Sequence, residues 1–136
     1  MIAKVSRQGY FNAAHRLFRK DWTDEKNQLI FGRCNNANYH GHNYDVIVSV
    51  SGEIDKETGF VIDLKILKQL IKDEIEEAFD HKNLNLDVPE FKDLNPTAEN
   101  IAVVIYNKLK PKLESHLQLE ITLYETPRNF VSYSGK

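Results

Sequence analysis

The stretch from Cys34 to Tyr44, reading Cys-Asn-Asn-Ala-Asn-Tyr-His-Gly-His-Asn-Tyr, constrains this chain more than any other. Cys34, His40 and His42 fall within nine positions, and all three carry metal or nucleophile chemistry. After the histidines, Tyr44, Val46, Val48 and Val50 alternate with Asn43, Asp45, Ile47 and Ser49. That period predicts a strand with His40 and His42 on one side of a sheet, their Cα atoms roughly 7 Å apart. Gly41 between them has no side chain to crowd the opposite face. Two histidines cannot complete a zinc site, so a third ligand must come from another segment.

That ligand is expected at His15. The run from Ile2 to His15 reads as a strand in which Phe11, Ala13 and His15 share one parity. A lone histidine on an apolar face is ordinarily a satisfied core residue, but a His-Gly-His on the next strand turns the expectation toward metal.

The chain has 136 residues, which predicts one domain over 1–136 with a core that needs no staples. A net charge of −2, with both signs mixed along the sequence, argues against a nucleic-acid partner. No apolar run approaches the roughly 18 residues of a membrane span, and Met1-Ile2-Ala3-Lys4 does not read as a signal peptide. The single cysteine can form no internal disulfide, which points to a reducing cytoplasm with Cys34 free for chemistry or metal.

Between His15 and Cys34 runs a polar connection with Arg16, Arg19, Lys20 and Arg33, long for a link between paired strands. It reads either as a binding loop with a helical turn of its own or as a solvated insertion. Asp63 is a good N-cap for a helix whose stripe is Leu64, Leu67, Ile71, Ile75 and Phe79. That helix runs out at Asp80-His81, neighbours that could orient one another only through backbone geometry, since they would not face each other on a helix. The segment 83–95 is expected as a loop, followed by a second helix opening at Asn95-Pro96 with Ile101, Val104, Ile105 and Leu109 inward. Thr97 and Glu99 sit in its first turn, where the helix dipole alone would favour a carboxylate. A third strand, 118–125, ends its apolar parity on Glu125, a charge that needs a partner. A turn at 126–129 leads to a last strand, giving ββααββ in one α+β domain.

Five motifs in this order resemble the 6-pyruvoyl-tetrahydropterin synthase family, which includes the 6-carboxy-tetrahydropterin synthases. They are Phe11 through Leu17, Cys34 through Tyr44, Asp80 through Leu84, Pro96 through Asn100, and Tyr124 through Thr126. The resemblance implies a tunnelling fold: a four-stranded antiparallel sheet with two helices on one face, trimers closing a barrel, and two trimers stacked into a homohexamer. It implies Zn2+ on His15, His40 and His42, and Cys34 as the catalytic thiol. Asp80 and His81 would form a proton relay given to a neighbouring subunit, and Glu125 would anchor the pterin, helped by Thr97 and Glu99. The implied reaction converts 7,8-dihydroneopterin triphosphate to 6-pyruvoyl-tetrahydropterin with loss of triphosphate.

Three neutral imidazoles leave zinc an open position, as catalytic sites do. The five-residue spacer Asn35–Tyr39 is similar to the pyruvoyl-forming branch, although Tyr39 stands where that branch often has glycine. The 6-carboxy product is the alternative. A non-catalytic zinc module, with Cys34 as fourth ligand, and a zinc hydrolase are the rivals from other classes. Arg16, Lys20 and Arg33 are candidates for the triphosphate.

Overall fold

A computed structural model describes the whole chain, Met1–Lys136. Its frame is two long strands, β1 (Ile2–His15) and β2 (His40–Glu53), paired antiparallel from Ile2 opposite Glu53 to His15 opposite His40. Between them the connection folds as α1 (Asp24–Phe31) and a 3-10 turn, Gly32–Asn35, so the helical turn anticipated there is present. Thr23 caps α1 by accepting from the Lys26 N–H at 3.1 Å.

The next helix starts on the expected cap, with Asp63 accepting from the Lys65 N–H at 2.9 Å. It runs as α2 (Leu64–Ile71), a π-turn over Lys72–Glu76, and α3 (Glu77–Phe79). The π-turn has a clear cause. Leu67, Ile71, Ile75 and Phe79 are buried, and a repeat of four drifts about 40° per step against 3.6 residues per turn. One extra residue, marked by the Glu77 N–H bonded to the Lys72 carbonyl, removes most of that drift. Leu64 sits half exposed and off the stripe.

Beyond the helix the structure corrects two expectations. The segment read as a loop contains β3 (Lys82–Asn83), α4 (Leu84–Asp87) and a 3-10 turn at Pro89–Phe91. β3 pairs parallel with Ala13 and Ala14 of β1, so the sheet has five strands rather than four. A two-residue parallel bridge leaves no alternation to read. The second main helix, α5 (Ala98–Leu109), is capped by Thr97, not Asn95: the Thr97 hydroxyl accepts from the Asn100 N–H at 3.2 Å. β4 (Gln118–Tyr124) and β5 (Phe130–Tyr133) complete the order β3-β1-β2-β4-β5.

The core lies on one face of this sheet. Phe11 and Ala13 of β1, Tyr44 through Val50 at alternate positions of β2, and Leu119, Ile121 and Leu123 of β4 meet the apolar stripes of both helices. Gly9 lets α2 approach, because a Cβ there would lie 2.6 Å from Ile71 Cγ2 and 3.3 Å from Val46 Cγ1. Neither neighbour is the free end of a long side chain, so neither can yield cheaply. Gly9→Ala is therefore expected to destabilise the fold by about 1–3 kcal/mol in urea denaturation, and an unchanged midpoint would contradict this packing.

Candidate metal centre and active site

The register of β1 on β2 builds the centre. His15 stands opposite His40, Ala13 stands opposite His42, and the three imidazoles point to the helix side of the sheet. Their ligand atoms all lie within 4.8 Å of one another, and no other His, Cys, Asp or Glu joins that cluster. His15 is fully buried, while His40 and His42 reach a cleft of about 640 Å³ that they share with Cys34 and Arg33.

The tautomer of His15 follows from its partner. Its Nδ1 lies 2.8 Å from the Pro96 carbonyl, which can only accept, so Nδ1 carries the proton and Nε2 presents a lone pair to the cluster. The Tyr44 hydroxyl is 3.3 Å from the same Nδ1. Burial pushes the His15 pKa down to about 4, against the opposing pull of the Pro96 carbonyl and with the help of His40 and His42. His40 is lowered too, by burial and by His42. Neutral imidazoles are the form that binds metal.

The donor set fits a divalent cation. His15 Nε2 faces His40 Nε2 at 2.9 Å, and His40 Nδ1 and His42 Nε2 are buried without a hydrogen-bond partner. Buried polar atoms left unpaired are costly, and a shared cation between converging lone pairs removes part of that cost.

Cys34 lies in the 3-10 turn after α1, partly buried and outside the ligand cluster. Burial, then the charge of Glu125, pushes its thiol pKa up. A catalytic thiol works as the thiolate, so activation of Cys34 requires positive charge or a base from elsewhere.

Asp80 and His81 face each other through backbone geometry, the one route open to sequence neighbours at a helix end. Asp80 is extended (φ −66°, ψ 134°) and His81 is left-handed at φ 59°, so neither is in a helix. Asp80 Oδ2 sits 2.8 Å from His81 Nδ1, and the Asn12 N–H donates to Asp80 Oδ1 at 2.7 Å. That N–H, then His81, holds the Asp80 carboxyl below its usual range. The pair hangs on the β1 edge of the sheet with the His81 side chain 83 % exposed, and it does not line the Cys34 cleft.

Glu125 follows β4, its carboxylate only 24 % exposed and bonded to no donor of the chain. Its one basic neighbour is His42, with Oε1 to Nε2 at 3.9 Å, too long for a hydrogen bond. The strand pattern marks Glu125 as an acid that needs a partner, and the chain itself supplies no hydrogen-bond donor to it. Thr97 is occupied as the cap of α5 and Glu99 is exposed; neither lines the Cys34 cleft. Among the triphosphate candidates, Arg33 lines that cleft and Lys20 lines a different one, while the Arg16 guanidinium is engaged by Asn35. Sequence reasoning missed the Pro96 carbonyl, because a main-chain acceptor leaves no mark in residue types.

A family model described as 6-pyruvoyl tetrahydropterin synthase matches residues 4–136. The chain belongs to this family. Among 6-pyruvoyl tetrahydrobiopterin synthases, the protein from Homo sapiens is 47% identical over 134 residues, covering 98% of this chain and 92% of that one. A 6-carboxy-5,6,7,8-tetrahydropterin synthase from Rickettsia bellii is 31% identical over 149 residues, covering 96% and 99%. The solved 6-pyruvoyl tetrahydropterin synthase of Caenorhabditis elegans superposes with a TM-score of 0.94 at 40% identity, covering 100% of this chain and 97% of that one. Family membership and the ligand geometry thus rest on separate observations.

The cluster makes a direct prediction about metal content. His15→Ala and His42→Ala should each lose the bound metal measured by plasma emission, whereas Cys34→Ala should retain it. Metal lost from Cys34→Ala would make the thiol a ligand and revive the structural module.

Proposed function

We propose that this family member is a zinc-dependent lyase that converts 7,8-dihydroneopterin triphosphate into 6-pyruvoyl-tetrahydropterin with elimination of triphosphate. The observation that carries the reading is the three-histidine cluster sharing a cleft with a cysteine that is not one of its ligands. A closed structural site would use the thiol, and a hydrolase built on metal-bound water would give it no task.

His15, His40 and His42 hold the ion. Bound there, zinc supplies Lewis-acid stabilisation to oxyanion character on the side-chain oxygens of the substrate. Glu125 binds the pterin: its two free oxygens match an amino group and a neighbouring ring N–H, with Thr97 and Glu99 helping at the ring. Cys34 removes carbon-bound protons of the side chain as the thiolate. His81 moves those protons, with Asp80 fixing its Nδ1, and serves as the base that a thiol raised by burial needs. Triphosphate then leaves, and internal redox yields the reduced pterin with no external oxidant.

His81 and Asp80 reach Cys34 from a neighbouring subunit. Their exposure at the sheet edge, away from the cleft of their own chain, supports this arrangement. The assembly is a hexamer of two stacked trimers whose strands close a barrel, each chain one synthase domain over 1–136, working in the cytoplasm.

Identity favours the pyruvoyl product over the carboxy product, at 47% against 31%. The Asn35–Tyr39 spacer favours it as well. Incubation with 7,8-dihydroneopterin triphosphate and chromatography of the products tests the proposal. The expected outcome is 6-pyruvoyl-tetrahydropterin and triphosphate without acetaldehyde. Acetaldehyde with a 6-carboxy pterin would assign the other branch, and unchanged substrate with zinc loaded would refute the lyase.

A further inference from the structure

We infer that Arg16 is a positioning residue that fixes the Cys34 thiol relative to the metal-binding strand, and that it does not bind the substrate's triphosphate. The inference rests on Cys34 being the working thiol.

The ladder between β1 and β2 ends at His15 opposite His40. The next residues of the first strand do not continue along β2; they hold the turn that carries Cys34. The Leu17 N–H donates to the Cys34 carbonyl at 2.7 Å. The Arg16 guanidinium then clasps the following residue: Nε donates to the Asn35 carbonyl at 3.0 Å and Nη2 to Asn35 Oδ1 at 3.1 Å. Its plane lies over the Phe18 ring, 4.1 Å from the centroid. The Arg16 backbone is held from the other side by Asn85, whose Oδ1 accepts from the Arg16 N–H at 2.8 Å and whose Nδ2 donates to the Arg16 carbonyl at 2.9 Å.

The segment from Cys34 to His40 is therefore pinned at both ends to residues 15–17. Its closure runs through Tyr39, which adopts a left-handed φ of 67°, a conformation that a bulky side chain keeps only where the surroundings impose it. The 3-10 turn of Cys34 has no side-chain cap of its own. Without Arg16, the Leu17–Cys34 main-chain bond would be the one hydrogen bond tying the Cys34 turn to the end of β1. A partly buried guanidinium committed to two neutral acceptors and a ring is a fork used for geometry, and its fit depends on the planar shape. Arg33, exposed in the cleft and bonded to no side chain, is the cation available to an anionic substrate.

The single cysteine of the chain makes the test specific, because alkylation by iodoacetamide reports Cys34 alone. Zinc-loaded wild type, Arg16→Ala and Arg16→Lys are compared for metal content, steady-state kinetics and the pH profile of alkylation. Both variants should keep the metal, lose about tenfold or more in kcat with KM changed less than about threefold, and show a displaced alkylation profile. Guanidinium ion should restore part of the kcat of Arg16→Ala, while ethylammonium should not.

A raised KM with kcat retained, an unshifted alkylation profile, or full activity in Arg16→Lys would overturn the inference and make Arg16 an anion ligand or a bystander. Should Arg16→Ala fail to fold, Asn35→Ala, which removes one of the two acceptors, must shift the alkylation profile the same way. Alkylation needs no pterin, so a wrong substrate assignment leaves this readout intact.

Discussion

Fourteen consecutive residue pairs join β1 to β2, and the last of them sets His15 against His40. The three-histidine cluster, which could hold a metal ion, is a by-product of that pairing. Side chains alternate with a period of two, so a slip of one residue would send every histidine of one strand to the opposite face. The register is held by burial: Phe11, Ala13, Tyr44 and Val46 occupy the same face as the ligands and are almost completely excluded from water. The core thus does for the site what no local sequence could do, since His15 and His40 are 25 positions apart. Pro96 adds the remaining restraint by fixing the tautomer of His15 from the entrance to α5.

Electrostatics around the cleft are deliberately unfinished within one chain. The thiol of Cys34 is raised by burial and by Glu125, and the Glu125 carboxylate has no donor of its own. The His81 imidazole, oriented by Asp80, faces solvent at the far edge of the sheet. Each group lacks what another type of group would provide: a base for the thiol, two N–H donors for the acid, an acidic proton for the imidazole to accept. Two residues near this chemistry, Tyr39 and His81, also sit at positive φ without being glycine. Backbone conformations of that cost concentrate where geometry matters to function.

Much of this was legible in the residues. Periodicity gave the long strands and the inward faces of both helices, and parity put His15, His40 and His42 together. It also placed Glu125 at the end of an apolar run as an acid that needs a partner. What escaped had physical reasons for doing so. The π-turn is an i to i+5 bond that no residue type announces, and β3 is two residues long. The Asp80–His81 contact depends on a left-handed backbone, invisible to reasoning that continues the helix. That Thr97 also caps α5 is a local main-chain contact, which a reading of it as a substrate contact does not announce. Arg16 resembled a phosphate ligand because charge is visible in sequence, whereas its clasp on Asn35, 19 residues away, is not.

The proposed site takes metal and thiol from one chain and the Asp80–His81 relay from another. Subunit mixing tests this arrangement. Cys34→Ala and His81→Ala proteins, each inactive, are dissociated together in equal amounts and reassembled with zinc. A site shared between chains predicts recovery of about a quarter of wild-type activity, the statistical share of interfaces that hold both intact residues. No recovery, with subunit exchange demonstrated by mass spectrometry, would contradict the shared site.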